Sequence, residues 1–372
     1  MEAGLYIHVP FCHSKCSYCD FYSMPLRKEI ENMYVDTLLK EWQMRKDEID
    51  APISTLYLGG GTPSILSDTN LNRLIQGLDI DIASLSEVTI EANPEDITPQ
   101  KVEAFKASGI KRVSMGIQSL DDTLLETIGR RHNSRSAIKA HENLRKGGID
   151  NISIDLMYGL PTQSLIQWES TLRTMLEIMH PEHLSAYILS FEPGTRLTAM
   201  RDAGKLTAPD EDLIIEMYTI LCRMARDKGY VHYEISNFSL PGYEARHNSA
   251  YWNMSPYIGL GPGAHSFDGK STRRSNPWNI NRYISCISAG SIFCETEEED
   301  ANTIHNDIVM TSLRTSRGLD MLRWHKYSAQ WMRVAHKFIA EGTMKLTGHR
   351  LALTEQAWLM ADDYISHFLI VD

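Results

Sequence analysis

A helix needs about 20 consecutive apolar residues to cross a bilayer, and the sequence has no apolar run close to that length. Its first residues also lack the basic start and apolar core of a signal peptide. Basic residues are in deficit, with 37 Lys and Arg against 48 Asp and Glu and a net charge of −11. We therefore expect a cytoplasmic protein whose main partner is neither a nucleic acid nor an anionic membrane surface.

Cysteine is scarce as well, with six residues in 372, and its spacing does not form the framework of a disulfide-stapled domain. Three cysteines are scattered through the second half of the chain: Cys222, Cys286 and Cys294. The other three lie together in the run YIHVPFCHSKCSYCDF: Cys12, Cys16 and Cys19. The cysteine chemistry is therefore concentrated in one short loop near the N-terminus.

Three thiolates on one loop suit an iron–sulfur cube. Such a cluster has four irons, so three protein ligands leave one iron open to a small molecule. The alternative is a structural zinc site, which is normally closed by four ligands and would take His8 or His13 as the fourth. Neither spacing favours zinc, because His13 adjoins Cys12 and His8 lies in an apolar run typical of a strand.

Short β-rich segments alternate with helical ones over the first half of the chain, which predicts parallel βα units. The predicted strands are 5–9, 55–58, 88–92, 112–117, 152–156 and 184–189. Helix ends are marked by residue type: Thr98 and Pro99 begin a helix that stops before Gly109, and Ser134 begins another that stops near Gly147. Six such units predict an α/β fold built on a partial (β/α)6 barrel.

Polar or glycine residues follow strand after strand of this predicted barrel. In a (β/α) barrel the functional residues lie at the C-terminal ends of the strands. The cysteine loop follows the first strand, and the ends of the next five carry the following residues: Gly59, Gly60, Gly61 and Thr62; Glu91 and Asn93; Gln118; Asp155; and Ser190. We therefore expect the cluster loop and these residues to meet at one mouth.

The character of the sequence changes near Glu295, where an acidic run as far as Asp300 indicates a solvated linker. Helical patterns at 304–314 and 329–339 then precede a hairpin predicted to turn at Gly348 and His349, and a last helix begins near Glu355. This order of elements resembles a winged helix. We expect this region to have a packing or lid role. We predict a barrel at 1–230, a barrel-closing region at 231–294 and a smaller C-terminal α+β (winged-helix-like) domain at 295–372.

The pattern C-x-x-x-C-x-x-C, with an aromatic residue before the third cysteine, resembles the radical S-adenosylmethionine (SAM) superfamily. The resemblance implies that the amino and carboxylate groups of SAM chelate the open iron. It also implies that an electron from the cluster breaks the sulfonium bond and releases a deoxyadenosyl radical. The resemblance therefore implies two cofactors, a [4Fe-4S] cluster and SAM, and one partner, an electron donor.

Further blocks resemble one group of that superfamily, which contains oxygen-independent coproporphyrinogen III oxidase and its relatives: YIHVPFC, YLGGGTP, IEANPE, GIQS, IDLMYGLP and LSAYIL. Carried across residue by residue, the resemblance implies SAM contacts at Tyr6, Tyr18, Gly60, Gly61, Thr62, Glu91, Gln118, Arg130, Asp155 and Ser190. The acidic and amide members supply acceptors for ribose hydroxyls and an ammonium group. Arg130 supplies a cation for the carboxylate of SAM.

Two features separate the branches of this group. Phe21 stands two residues after Cys19, where the oxidase has a further cysteine, and this departure favours the sister branch of haem chaperones called HemW. The run from His247 to Trp252 matches the H-N-x-x-Y-W signature of that branch, which is associated with haem binding. It implies His247 as the axial iron ligand, with His265 as the second candidate. The signature implies supporting or packing roles for its other members: Asn248, Tyr251 and Trp252.

The sequence therefore predicts a haem chaperone that binds haem and delivers it to client respiratory haemoproteins, while a SAM-bound cluster controls haem loading or release. The alternative is an oxygen-independent coproporphyrinogen III oxidase that decarboxylates its substrate oxidatively through a radical. A third hypothesis is a zinc-stabilised barrel that binds some other ligand. The sequence leaves open whether SAM is turned over, whether the protein forms a homodimer and whether it contacts a membrane peripherally.

Overall fold

The computed structural model describes residues 2–371, and the first half of this range alternates strands with helices. Its elements are β1 (Ala3–Val9), β2 (Phe11–Cys12), β3 (Met24–Pro25), α1 (Lys28–Arg45), β4 (Ile53–Gly60), α2 (Asp68–Gly77), β5 (Glu87–Ala92), α3 (Pro99–Ala107), β6 (Arg112–Gln118), α4 (Asp122–Thr127), α5 (Ser134–Lys146), β7 (Asn151–Tyr158), α6 (Leu165–Thr174) and β8 (His183–Ile188).

The second half begins with two helices and continues into shorter strands. Its elements are α7 (Arg196–Asp202), α8 (Glu211–Asp227), β9 (Val231–Glu234), β10 (Asn237–Ser239), α9 (Arg246–Trp252), β11 (Tyr257–Leu260), β12 (His265–Phe267), β13 (Thr272–Ser275), α10 (Ile280–Ser288), β14 (Glu295–Glu298), α11 (Ala301–Ser312), β15 (Leu319–Asp320), α12 (His325–Ala340), β16 (Met344–Thr347), β17 (Arg350–Leu353) and α13 (Ala361–Ser366).

The central sheet has twelve strands within residues 2–371, in the order β14-β13-β12-β11-β1-β4-β5-β6-β7-β8-β10-β9. The run from β1 through β4 to β8 is parallel throughout, and each predicted strand overlaps one of its six members. The predicted partial (β/α)6 barrel is therefore confirmed. The structure adds β11, which pairs in parallel with the outer edge of β1 and continues the curve of the barrel.

The parallel strands are buried because helices cover the outer face of the barrel. Along β1, Leu5, Ile7 and Val9 are fully buried, whereas the intervening Tyr6 and His8 line a cavity at the barrel mouth. This alternation follows from the two-residue period of a strand. None of the helices in the described range has both the length and the apolarity to span a bilayer.

The C-terminal region forms a small α+β unit, as predicted. Helices α11 and α12 pack with α13 on a three-stranded sheet in the order β15-β17-β16 within the described residues. Its hairpin turns at Gly348, whose positive φ of 60° is the conformation that a glycine adopts at no steric cost. Trp331 is fully buried in the core of this unit and donates from Nε1 to His305 Nε2 at 2.9 Å.

The acidic run at Glu295 is not the linker that the sequence predicted. Residues Glu295–Glu298 form β14, which pairs antiparallel with β13 at the edge of the central sheet. Side-chain contacts with β13 hold the run in place: Thr272 Oγ1 donates to Glu298 at 2.8 Å, and Arg273 forms an ion pair with Glu299 directly after β14. The exposed carboxylates also discourage a further strand from adding to this edge. The division of the chain into three domains stays a prediction.

A buried ionic network fixes the chain on the β1 side of the barrel mouth. The carboxylate of Glu41 in α1 accepts from Arg45 Nη1 at 2.8 Å and from Asn276 Nδ2 at 2.9 Å through one oxygen. Its other oxygen accepts from the Gly261 N–H at 2.8 Å and from the Tyr283 hydroxyl at 2.7 Å. Helix α1 is thereby connected to the glycine-rich turn between β11 and β12 and to α10.

Removing one partner of this network will be costly, because the other charge is left buried without compensation. We expect Arg45→Met to lower the free energy of unfolding by about 3–5 kcal/mol in urea titrations. The matched control is Arg73→Met, since Arg73 forms an ion pair with Asp36 in which both side chains are exposed. That change will cost less than about 1 kcal/mol, and equal losses in the two variants would contradict the prediction.

Candidate cluster and cofactor site

The cysteine loop leaves the end of β1 and returns to the same place. Strand β2 pairs in parallel with β3, and the Leu26 N–H donates to the carbonyl of Cys12 at 3.1 Å. Inside the loop a turn brings the Cys19 N–H to the Cys16 carbonyl at 3.3 Å. All three thiols are half-buried and unpaired by disulfides. The loop thus presents Cys12, Cys16 and Cys19 together at the C-terminal end of β1.

The glycine turn after β4 supports this loop from below. The Gly61 N–H donates to the Val9 carbonyl at 2.8 Å, and the Thr62 N–H donates to the Phe11 carbonyl at 2.8 Å. A Cβ atom on Gly61 would lie 2.7 Å from the Phe11 carbonyl oxygen, so the two backbones can approach this closely only at a glycine. Gly60 has a φ of 110°, which also favours glycine. Predicted site residues Gly60, Gly61 and Thr62 therefore adjoin the cysteine loop.

Glu91 lies beside the glycine turn and holds a buried carboxylate. It accepts from the Gly60 N–H at 3.0 Å and from the Tyr57 hydroxyl at 2.9 Å. The pKa of Glu91 is raised to about 7, chiefly by burial and also by the nearby Asp155, against the lowering effect of these hydrogen bonds. The pKa of Asp155 is itself raised by burial, although Ser114 Oγ lies 3.3 Å from its carboxylate. Two acidic groups thus share the rim, as the sequence predicted.

Arg130 reaches the cysteine loop from the segment after α4. Its Nη1 lies 3.5 Å from Cys16 Sγ, and its Nη2 donates to Asn93 Oδ1 at 2.6 Å. Asn93 in turn donates to Thr62 Oγ1 at 3.1 Å, and Thr62 Oγ1 lies 3.6 Å from Cys12 Sγ. This chain of contacts connects two thiols through three side chains. Asn93 was predicted at the rim but not as a site residue, and its position after β5 was the available signal.

The remaining predicted SAM residues lie at different distances from this centre. Tyr6 stacks against Tyr57 with ring centroids 6.1 Å apart. Tyr18 lies in the loop next to Arg130, and burial raises the pKa of its hydroxyl. Gln118 ends β6 at a bulge, with a positive φ of 67° that is unusual for a residue with a side chain. Ser190 is exposed and donates to Glu192.

The donor set fits a multi-iron cluster better than a zinc ion. A single metal ion needs ligand atoms that lie close together. Within residues 2–371, the His, Cys and carboxylate side chains that meet this condition form a group away from the barrel mouth, and none of the loop cysteines belongs to it. The two histidines proposed for zinc are also engaged. His8 bonds Tyr6 and the Tyr22 carbonyl at 3.0 Å each, and His13 Nε2 bonds Asp96 at 2.9 Å. Three separated thiols with an adjacent guanidinium match the ligand set of a [4Fe-4S] cluster with one open iron.

A cavity of about 630 Å³ opens beside this loop at the barrel mouth. Its lining combines aromatic and histidine side chains from segments far apart in the sequence: Tyr6, His8, Phe21, Tyr22, Tyr251, Tyr257, His265, Phe267 and Trp278. Trp278 is 63% exposed and stacks on Tyr22 with ring centroids 6.0 Å apart. Sequence reasoning missed both residues, because no motif marks them and only folding brings them together.

His247 does not reach this cavity in the described conformation. Its side chain is buried, with Nδ1 2.8 Å from Thr55 Oγ1 and Nε2 2.8 Å from the Tyr251 hydroxyl. Burial lowers the pKa of His247 to about 3, so the ring is neutral, but neither nitrogen is free for an iron bond. In this conformation the ring is engaged on both sides, and its role as an axial ligand stays a prediction.

The rest of the H-N-x-x-Y-W motif is divided between two places. Tyr251 lines the large cavity and separates it from His247. Trp252 instead lines a small pocket next to Asn253, Trp324 and the C-terminal unit, and Asn248 is part-buried outside the large cavity. Of these motif residues, only Tyr251 is placed to pack on a ligand in the cavity. The structure therefore does not bring the four together around one ligand.

The close approach at Gly61 can be tested directly. In Gly61→Ala the added methyl group must displace the backbone that leads into Cys12, so we expect less than about half of the wild-type iron and labile sulfide after anaerobic reconstitution. Gly342→Ala is the control for the general strain of an added methyl group, because Gly342 has a positive φ of 76° but lies in the C-terminal unit, where a Cβ meets nothing within 4 Å. Wild-type cluster content in Gly61→Ala would show that the loop tolerates the displacement.

The buried carboxylate of Glu91 predicts a pH-dependent stability. Its folded pKa of about 7 lies above the ordinary value of 4.5, so the folded chain binds this proton more tightly than the unfolded chain. The contribution to stability is present at acid pH and is lost as pH rises through about 7. Glu91→Gln should therefore gain about 2 kcal/mol over the wild type between pH 5 and pH 8.

Urea unfolding of the cofactor-free protein at the two pH values measures this difference. Glu211→Gln is the control, since Glu211 is an exposed carboxylate in the first turn of α8. It should follow the wild type at both pH values. A Glu91→Gln variant that tracks the wild type at both pH values would show that Glu91 is not held in this state.

Comparison with known proteins places the chain among relatives of nearly the same length. The Radical SAM superfamily model matches residues 6–175, which include the cysteine loop, Glu91 and Arg130. The heme chaperone HemW of Bacillus subtilis is 33% identical over 98% of this chain and 98% of its own length. The heme chaperone HemW of Lactococcus lactis is 37% identical over 99% of this chain and 97% of its own length.

The similarity extends to an animal protein and to a solved structure. Radical S-adenosyl methionine domain-containing protein 1, mitochondrial, of Mus musculus is 33% identical over 88% of this chain and 77% of its own length. Coproporphyrinogen III oxidase (HemN) of Escherichia coli superposes with a TM-score of 0.82 over 99% of this chain and 90% of its own, at 21% identity, which shows a shared fold. Because the identity to the bacterial relatives extends over both full lengths, the chain belongs to the radical SAM superfamily and, within it, to the HemW family.

Proposed function

We propose that this protein is a haem chaperone, which binds haem in the cavity at the barrel mouth and delivers it to haemoproteins. Membership of the radical SAM superfamily implies a [4Fe-4S] cluster and SAM, and full-length relatives carry the name heme chaperone. The observation that carries the proposal is the aromatic cavity of about 630 Å³ beside the cluster loop. Its size lies within the range of ordinary cofactor sites.

The cavity wall suits a flat, apolar macrocycle. Tyr22 and Trp278 stack on one another at an interplanar angle of 27°, and Trp278 leaves 63% of its surface exposed. Phe21 also lines the cavity and is 64% exposed, so an apolar ring stands where the oxidase has a cysteine. Aromatic faces gain from stacking on a porphyrin and from leaving water. The lining therefore favours retention of a porphyrin.

His265 is the better placed of the two candidate iron ligands. It lines the cavity, its side chain is partly exposed and partly buried, and no hydrogen bond of its ring is found within the described part of the chain. Burial and then the charge of Arg273 lower its pKa, so the imidazole is neutral and able to bind iron. We therefore reverse the order given by the sequence motif. His247 instead supports Tyr251 on the cavity wall by a hydrogen bond.

The cluster and SAM, when bound, supply one-electron chemistry next to this cavity. The contribution of the chain is to hold them beside the haem pocket. Tyr6, Gly60 and Glu91 border both the cavity and the predicted SAM site, so occupancy of one changes the wall of the other. This shared wall is a direct route by which SAM could control haem loading or release. Delivery to respiratory haemoproteins, an electron donor and a homodimer are parts of the proposal that rest on the family alone.

Haem titration of the anaerobically reconstituted protein tests the proposal. We expect a saturable change in the Soret band at one haem per chain. His265→Ala should weaken binding by at least about tenfold, equivalent to 1.4 kcal/mol. His247→Ala should keep the ligation spectrum. His336→Ala is the control, because this histidine is exposed on α12, away from the cavity.

Each other outcome has a distinct meaning. A wild type without a saturable Soret change would remove the chaperone function. Loss of the ligation spectrum in His247→Ala, with retention in His265→Ala, would return the ligand role to His247 and require Tyr251 to move. Oxidative decarboxylation of coproporphyrinogen III with SAM and a reductant would establish the alternative activity instead.

A further inference from the structure

A second group of potential ligands lies where the barrel meets the C-terminal unit. Cys222 is in α8, His232 is in β9, and Glu355 begins the short 3₁₀ helix Glu355–Met360 that follows β17. Among the residues that the structure describes, these three are the group of Cys, His and carboxylate side chains close enough for one metal ion. They line a separate cavity of about 260 Å³, with no residue in common with the cavity at the barrel mouth.

The spacing of the three ligand atoms suits a tetrahedral ion. His232 Nδ1 lies 3.9 Å from Cys222 Sγ and 3.0 Å from Glu355 Oε1, and all three atoms lie within 4.8 Å of one another. Ordinary zinc–ligand bond lengths place neighbouring tetrahedral ligands about 3.4–3.6 Å apart. The two separations from His232 Nδ1 differ from these values by about half an ångström or less, which side-chain adjustment can supply.

The shared nitrogen argues against a nucleophile–base relay. In such a relay the thiol contacts one imidazole nitrogen and the carboxylate contacts the other, so that a proton can pass through the ring. Here both Cys222 and Glu355 face Nδ1 of His232. Nε2 lies instead 3.4 Å from the carbonyl of Ile235. Three donors that converge on one point are the arrangement of a metal site.

The imidazole is also held in the orientation that ligation requires. Its ring stacks on Phe238 at a centroid distance of 3.9 Å and meets Trp358 edge-on at 4.5 Å. With Nε2–H directed at the Ile235 carbonyl, the lone pair of Nδ1 faces Cys222 and Glu355. Backbone carbonyls commonly orient metal-binding histidines in this way. Without a cation, the tautomer with the proton on Nδ1 donates to Glu355 Oε1 at 3.0 Å, and a metal ion would take the place of that proton.

We propose that Cys222, His232 and Glu355 bind a zinc ion, with a water molecule from the adjoining cavity as the fourth ligand. A thiolate, an imidazole and a carboxylate are ligands that zinc accepts, and an open fourth position distinguishes this set from a closed structural site. Arg226 binds the second oxygen of Glu355, so the carboxylate ligates through Oε1 alone. The ion would connect α8 and β9 of the barrel to the C-terminal unit. This site is independent of haem binding.

Equilibrium dialysis against zinc, with metal analysis of the full-length protein after cluster reconstitution, tests the site. Reconstitution engages the loop cysteines, so zinc bound beyond the iron is assigned elsewhere. We expect one zinc per chain in the wild type and in Cys286→Ser, a matched control because Cys286 is a free, part-buried thiol on α10. Cys222→Ser and Glu355→Gln should bind zinc at least about tenfold more weakly.

A second readout covers the risk that the Cys222 variant is poorly folded. Zinc should raise the melting temperature of the wild type and of Cys286→Ser, and raise that of Glu355→Gln by less at the same zinc concentration. Glu355 is partly exposed, so its conservative change leaves the fold intact. Stoichiometric zinc in Glu355→Gln and Cys222→Ser with wild-type affinity would overturn the proposal. So would a wild type that takes up no zinc, because the contact between His232 and Glu355 is then a hydrogen bond alone.

Discussion

The parallel register of six neighbouring strands is the constraint on which the rest of the structure depends. Hydrogen bonds between β1, β4, β5, β6, β7 and β8 place the carboxyl ends of these strands at one mouth. The cysteine loop, the glycine turn and Glu91 therefore become neighbours although the sequence separates them by tens of residues. A slip of one strand by one residue would turn its polar end away from the mouth.

Polar groups held at this mouth carry a cost that the surrounding structure offsets. Glu91 and Asp155 are buried acids whose pKa values are raised, and Arg130 crosses the rim to Asn93 and Cys16. On the β1 side of the mouth, the buried carboxylate of Glu41 accepts hydrogen bonds from donors in α1, in the β11–β12 turn and in α10. Such networks define one arrangement of the backbone. The acids and Arg130 thus form the predicted ligand-binding rim, and the Glu41 network forms a rigid support beside it.

Local spacing predicted much of this site. Three cysteines in eight residues must share a loop, and the glycine run after the second strand was predicted to meet that loop at one mouth because both follow strands of the barrel. The strand ends that carry Glu91 and Gln118 followed from the barrel rule. Spacing could not predict which motif residues are buried. His247 and Trp252 belong to one motif, yet His247 is enclosed by Thr55 and Tyr251. Trp252 lines a small pocket next to the C-terminal unit. Likewise, the acidic run at Glu295 is exposed, as expected, but it pairs as an edge strand and does not form a linker.

The sequence by itself determined the kind of chemistry, because the thiols, their spacing and the polar strand ends are local properties that survive in any fold that keeps the loop and the strands. The tertiary structure alone decided which distant side chains share a cavity. Tyr22 meets Trp278, and Cys222 meets Glu355, across more than 100 residues of chain. Such contacts depend on how whole helices and strands pack to bury apolar surface and satisfy backbone hydrogen bonds. That packing involves the entire chain, so no local sequence pattern predicts it.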